Sequence, residues 1–371
     1  MDASSARVVP ASQSVIVGSD MAELVLQDVR LNAGERGILK GVTLTVLPGS
    51  AAALVGPTGS GKSALLRAVA GLVELQAGAI LIGERALFDA AASVAVPTQK
   101  RGIGYAFPSD SMLQQRTVFD NLSFCARFGA SGAEDIRSCV HKALDLVGGS
   151  DLASQLPRQL SAVERGRIAI ARALLRDPPV LLLDDPLGLL EGTARAEARA
   201  WLRQLIASLD SCTLIATRDP IEAMAIADHV VVMNDGTIEQ EGPPAEVYNE
   251  PATVFAAEYM GKSNRLPGTL IENAGTRASI DVMGCQISGV TQTRAPIGSP
   301  ALGLIRVERT RIGGGPGPNR LPMTVTTQMY VGERWEVVFT RDDLTVQAYT
   351  SAPLRHESYH VEFPPDAVWV F

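Results

Sequence analysis

Apolar residues recur at two different periods along this chain, and the places where the period changes mark its elements. Leu24-Val25-Leu26-Gln27-Asp28-Val29 and Val42-Thr43-Leu44-Thr45-Val46 alternate as antiparallel strands with one wet face do. Ala51-Ala52-Ala53-Leu54-Val55, Val180-Leu181-Leu182-Leu183, Leu214-Ile215-Ala216 and Val230-Val231-Val232-Met233 are unbroken apolar runs. Apart from the first, which leads into a glycine-rich loop, they read as parallel strands buried on both faces. Helical spacing predicts helices over 64–70, 118–128, 133–146, 163–175, 194–208 and 220–227. Strands alternating with helices imply an α/β core. Beyond about residue 264 the pattern becomes short alternating pieces, at 278–282, 335–339 and 344–346. Gly/Pro-rich turns such as Gly313–Pro318 separate them, and the tail is predicted to be a small all-β domain.

Composition narrows the class. With 371 residues the chain has room for two or more domains, and 46% apolar with 5% aromatic residues suits an aliphatic α/β core. A net charge of −7 argues against general nucleic-acid affinity. Cys125, Cys139, Cys212 and Cys285 lie too far apart for a metal knuckle, and a reduced intracellular setting is expected. No apolar run reaches the ~18 residues of a spanning helix. Residues 1–20 read as a loose tail rather than a signal peptide. A soluble protein follows, with any membrane role exercised through a partner.

The sharpest chemical signal is Gly56-Pro57-Thr58-Gly59-Ser60-Gly61-Lys62-Ser63, a full GxxxxGK[ST] pattern between an apolar strand and a helix. Its glycines let backbone N–H groups close around phosphate oxygens, and the helix N-terminus adds partial positive charge. Lys62 is placed to reach β- and γ-phosphates, and Ser63 to ligate Mg²⁺. The chain is expected to bind a nucleoside triphosphate.

Further segments complete a family pattern. Val180–Leu187 resembles the second nucleotide motif of ABC transporter ATPases, and Gln159–Leu174 resembles their signature segment with its following helix. Thr117–Leu122, Ala227–Met233 and Gly236–Pro244 are similar to other parts of the same domain. Pro251–Phe255 and Gly261–Gly268 look like the junction into the C-terminal OB-like (TOBE) domain of importer ATPases. The resemblance implies a P-loop NTPase core of ABC type with antiparallel β and helical subdomains, plus a C-terminal all-β OB-like domain. It places the ABC-type domain at 21–245, with a helical subdomain near 108–165, a linker helix at 246–264 and the TOBE domain at 265–371. It implies ATP and Mg²⁺ as ligands, the metal held by Ser63 and Asp184. The implied partners are a second nucleotide-binding domain, transmembrane permease subunits and, indirectly, a solute-binding protein. The place of work is then the cytoplasmic side of the cell membrane. This subgroup serves polyamines, sugars, ferric iron and oxyanions, and the cargo stays open among them, a polyamine-like one first.

Several family positions are substituted. The Glu that polarises the attacking water corresponds to Asp185, one methylene shorter. The loop Gln after Phe107 is Pro108, which has neither a side-chain amide nor a backbone N–H. The switch His is Arg218, which either clamps a γ-phosphate or pairs with an acid such as Asp185 or Asp219. The signature Gly-Gly-Gln is Ala162-Val163-Glu164 after Ser161, and Ser161 with Glu164 also forms a capping-box pattern. Glu191 stands for the D-loop Asp. No aromatic residue occurs over 21–50 to stack on a base, leaving Arg36 or Arg30 for that role.

The leading expectation is therefore the ATP-binding subunit of an ABC importer, hydrolysing ATP slowly, with Asp185 and Arg218 as catalytic residues. Gly56 through Ser63 bind nucleotide, together with Ser161 across a dimer. The alternatives are a catalytically feeble regulatory subunit of a heteromeric transporter, and a decayed paralogue.

Overall fold

The computed structural model describes residues 22–107, 112–127 and 132–371. The expected tail at 1–20 and Pro108 lie outside them. β1 (Leu24–Ala33) and β2 (Arg36–Val46) form an antiparallel hairpin, and β3 (Ala51–Val55) leads through the glycine-rich loop into α1 (Lys62–Ala70). β4 (Ala77–Ile82), β5 (Arg85–Asp89) and β6 (Val94–Ala95) join the hairpin in a sheet of order β2-β1-β4-β5-β6. α2 (Thr98–Arg101) and β7 (Ile103–Ala106) precede the helices α3 (Val118–Ala126), α4 (Ala133–Leu146) and α5 (Ala162–Leu174). Then come β8 (Val180–Asp184), α6 (Gly192–Ala207), β9 (Cys212–Thr217), α7 (Pro220–Ile226), β10 (His229–Asn234) and β11 (Thr237–Gly242). They build a central sheet of order β11-β10-β3-β9-β8-β7, parallel from β10 to β7.

The unbroken apolar runs are explained by two cores, one on each face of that sheet. Ala51, Ala53 and Val55 face a cluster with Leu122, Leu144, Ile168 and Leu202 from α3 to α6. Ala52 and Leu54 face the other way, against Leu65, Leu66 and Val69 of α1 and the hairpin's Leu24, Leu26 and Leu44. Alternation cannot appear in a strand whose two faces are both dry. Each fully buried leucine contributes roughly 1.5–3 kcal/mol to holding the layers together.

A single linker helix over 246–264 does not form. Instead α8 (Pro244–Asn249) and α9 (Val254–Met260) stand on either side of Pro251. A proline disfavours helix in the residue before it and removes an N–H, so α8 ends at Asn249. Thr253 restarts the helix as a cap, accepting from the N–H of Ala256. β12 (Ser263–Asn273), β13 (Arg277–Val282), β14 (Cys285–Thr291) and β15 (Pro300–Arg306) follow. After them come β16 (Arg311–Gly313), β17 (Arg320–Tyr330), β18 (Trp335–Arg341), β19 (Leu344–Thr350), β20 (Ser358–Glu362) and β21 (Val368–Val370). β12, β13, β14, β21 and β15 close a barrel, while β16-β20-β17-β18-β19 form a second sheet sharing its core through Leu266, Ile280, Phe339 and Val361.

Arg306 bolts this β region to the helices before it. Its guanidinium is 1% exposed and donates to the carbonyls of Ala257, Gly261 and Tyr248 and to Ser263 Oγ. It also lies 4.2 Å from the ring centre of Tyr248 and 5.1 Å from that of Trp369.

Candidate functional site

Because β3, β8 and β9 are parallel neighbours, their C-terminal ends open on one edge, where open α/β sheets take ligands. The registers Val55 with Thr217 and Asp184 with Ala216 bring Gly56, Asp184, Asp185 and Arg218 level with one another. A cleft of about 400 Å³ opens there, lined by Thr58, Gly59, Gly61, Lys62, Ser63, Asp184, Asp185 and Arg218. Arg36 and Ile38 of β2 form its far wall. Arg30, the other cation considered for the base, is instead held by Asp28 at 2.8 Å.

The loop over Gly56–Gly61 depends on its glycines. A Cβ on Gly56 would stand 2.1 Å from the carbonyl oxygen of Met233 on β10, and Gly61 turns into α1 at φ 103°. The loop is also braced from the turn after β10: the Gly236 N–H donates to Ser60 O at 3.1 Å, and Lys40 N–H of β2 donates to Gly236 O at 2.9 Å. The first-turn N–H groups of α1 have no intrahelical acceptor and point to the end of the helix where phosphate is favoured.

Lys62 is buried and folded back on its own loop. Its ammonium donates to Gly56 O and Pro57 O, each at 2.7 Å, and to Ser60 Oγ at 3.1 Å. Burial, and then the charge of Arg218, lower its pKa to about 8, against the pull of Asp185 and Asp184. The site thus holds a cation short of counter-charge, which an incoming phosphate would supply.

Asp184, at the end of β8, is 2% exposed and uses both oxygens: Oδ1 accepts from Ser63 Oγ at 2.7 Å and Oδ2 from the Tyr105 hydroxyl at 3.0 Å. Asp185 sits in the left-handed region at φ 52°, its N–H donating to Ala216 O at 2.8 Å. Its carboxylate lies over Gly188, where a Cβ would come within 2.4 Å of it. Arg218 approaches that carboxylate at 3.4 Å. Of the two acids considered for Arg218, Asp185 is the neighbour. Asp219 caps α7 through the N–H groups of Ile221 and Glu222 and pairs with Arg195.

The donor set fits Mg²⁺. Ser63 Oγ and Asp184 Oδ1 are hard oxygens side by side, and among the described residues no cluster of three or more His, Cys, Asp or Glu could cage an ion by itself. Mg²⁺ characteristically takes one or two carboxylates and completes its shell with substrate phosphates and water.

Ser161 is not part of this cleft. It caps α5, its Oγ accepting from the Glu164 N–H at 3.3 Å while Glu164 Oε2 accepts from the Ser161 N–H at 2.7 Å. That is the expected capping box, and the Ser161 N–H holds the Glu164 carboxyl below its ordinary range. Glu191 precedes α6 without a side-chain cap bond.

Two features escaped the sequence reading. Tyr105 is the hydroxyl in an otherwise apolar strand, and only its two-residue spacing from Phe107 hinted at a shared face. Burial, with Asp184 beside it, pushes its phenol well above the ordinary range. Behind Asp185, Glu222 is fully buried and accepts from Arg195 at 3.1 Å; burial raises its carboxyl even so. Its position in an amphipathic helix gave no sign of that.

Residues 39–188 match the ABC transporter family. The sulfate/thiosulfate import ATP-binding protein CysA 1 of Chromobacterium violaceum is 36% identical over 348 residues, covering 92% of this chain and 90% of its own length. The sulfate/thiosulfate import ATP-binding protein CysA of Mycobacterium bovis is 40% identical over 248 residues, 67% of this chain and 69% of that one. A dimeric, post-hydrolysis structure of an ATP-binding cassette bound to ADP and Pi is similar with a TM-score of 0.51 at 26% identity, covering 60% of this chain and 98% of the cassette.

Proposed function

The chain belongs to the ABC transporter family as an ATP-binding subunit of importer type, and on that premise we propose that its cleft works between two copies, turning over slowly, to drive uptake of a sulfur oxyanion. The observation that carries the site assignment is the meeting of Lys62, Ser63, Asp184, Asp185 and Arg218 at one sheet edge.

ATP phosphates enter over Gly56-Pro57-Thr58-Gly59-Ser60-Gly61, and Lys62 exchanges the loop carbonyls for β- and γ-phosphate oxygens. Ser63 and Asp184 hold Mg²⁺, which when bound neutralises phosphate charge. Asp185 orients the attacking water. Arg218 leans on Asp185; a γ-phosphate would draw the guanidinium away and free the carboxylate. Turnover is slowed because Asp185 is a methylene short of the family's Glu, and a misplacement of about 1 Å costs on the order of 10²-fold.

Ser161 lies outside the cleft of its own copy, and a head-to-tail pair would set the α5 N-terminus over the partner's nucleotide. The similar cassette with ADP and Pi is dimeric, which supports a pair of copies. Methyl groups on Ala162 and Val163 loosen it where glycine would allow closer backbone approach. Permease subunits complete the importer and hold this chain at the cytoplasmic face; among the described residues no helix is long and apolar enough to cross a membrane. The polyamine-like cargo expected from the general resemblance gives way to a sulfur oxyanion, since the relative matched over 92% of this chain is named for sulfate and thiosulfate.

The test is sedimentation of the full chain carrying Asp185→Asn with Mg²⁺-ATP, with and without Ala162→Gly and Val163→Gly. ATP-dependent dimers that the glycines strengthen are expected. A strict monomer for both variants would refute the homodimer and point to a partner chain with an intact signature.

A further inference from the structure

Building on the nucleotide-site reading above, we propose that Tyr105 is a positioning residue for the metal–nucleotide site, its hydroxyl setting the orientation of the Asp184 carboxylate. Asp184 has two oxygens and one useful direction. Ser63 occupies Oδ1 at 2.7 Å, and the Tyr105 hydroxyl occupies Oδ2 at 3.0 Å. With Oδ2 tied to β7, Oδ1 is the oxygen turned to Ser63 and the cleft.

The tie is built into the sheet. β7 and β8 are parallel neighbours with Tyr105 opposite Leu182, so Tyr105 shares a face with Asp184, two residues further along β8. The phenol ring lies beside Phe107, centres 4.2 Å apart and planes tilted 31°. Groups that orient a metal ligand typically contribute about 10- to 100-fold to metal affinity or activity.

The consequence is specific to the metal. Tyr105→Phe keeps the ring and its contact with Phe107 and removes the O–H. Full-length wild type, Tyr105→Phe and Phe107→Leu are titrated with Mn²⁺ in the presence of a non-hydrolysable ATP analogue, with free Mn²⁺ read by electron paramagnetic resonance. Analogue affinity in EDTA and melting temperature are measured alongside. Tyr105→Phe should weaken Mn²⁺ binding about tenfold while metal-free analogue affinity stays as in wild type, and Phe107→Leu should leave both affinities unchanged; the melting temperatures show that each variant is folded under the assay conditions. Equal Mn²⁺ affinity in Tyr105→Phe, or equal losses with and without metal, overturns the proposal. An equal loss in Phe107→Leu assigns the effect to ring packing and overturns it too. A wild-type chain that binds neither Mn²⁺ nor the analogue would instead refute the nucleotide-site reading.

Discussion

Replacing Arg218 by alanine should separate ATP from ADP. The guanidinium stands 3.4 Å from Asp185, with 63% of the Arg218 side chain and 26% of the Asp185 side chain exposed. An ion pair so open to water contributes less than about 1 kcal/mol, so little holds Arg218 back when a γ-phosphate arrives. A hydrogen bond from a guanidinium to phosphate is charge-assisted and contributes about 1.5–3 kcal/mol. Subtracting the released pair leaves a net gain of about 0.5–3 kcal/mol, or about 2- to 150-fold in affinity. ADP lacks the phosphate that collects this gain. A second effect is shared by both nucleotides: Arg218 lowers the pKa of Lys62, so its removal lets Lys62 hold its proton more firmly for either ligand. Titration calorimetry with a non-hydrolysable ATP analogue and with ADP, both with Mg²⁺, should therefore show Arg218→Ala losing several-fold more affinity for the triphosphate. Arg218→Lys, which keeps the charge but not the planar fork, should fall between. Equal losses for both ligands would mean that Arg218 serves only as the partner of Asp185.

Asp185→Glu should raise steady-state ATPase turnover, by up to about 100-fold if reach to the water is the whole deficit; an unchanged rate would move the deficit elsewhere. Affinity for ATP should fall with rising pH. Free Lys62 loses its proton near pH 8, while bound phosphate keeps it protonated, so binding above that pH takes up a proton. At pH 9 the affinity should be about tenfold below its neutral value, and Lys62→Ala should show weak binding without this dependence. Arg306→Met should destabilise the chain by about 3 kcal/mol or more by leaving buried carbonyls of Ala257, Gly261 and Tyr248 without a donor. Denaturant unfolding checks this, with nucleotide affinity unchanged; a loss under about 1 kcal/mol would show that water replaces the guanidinium.

What could be read from the residues in order was what local chemistry dictates. Val180–Leu183 and Val230–Met233 were legible as buried strands because both faces are dry, and Ser161 with Glu164 as a cap because the pattern closes within four residues. The phosphate loop was legible because its glycines serve a backbone shape. What stayed hidden was choice among distant partners. Arg218 had two acids within reach in sequence, and Asp219 was already engaged with the start of α7 and with Arg195. The linker was expected as one helix because the family resemblance implied it, and that resemblance did not register the N–H missing at Pro251. Tyr105 could not be tied to Asp184 before the neighbour of β8 was known, and Arg306 gave no sign that its charge lies inside a junction.

The brace between Gly236 and Ser60 has a consequence for the order of events at the ribosome. The loop that will grip phosphate is synthesised early, yet the strands flanking β3 are β9 and β10, and the carbonyl against Gly56 belongs to Met233. Until those residues leave the exit tunnel, the nascent chain carries the phosphate-binding sequence without its shape. ATP in the cytosol therefore cannot guide the early steps of folding. It can reward only a chain whose central sheet is already assembled, which makes nucleotide capture a late checkpoint on the finished core.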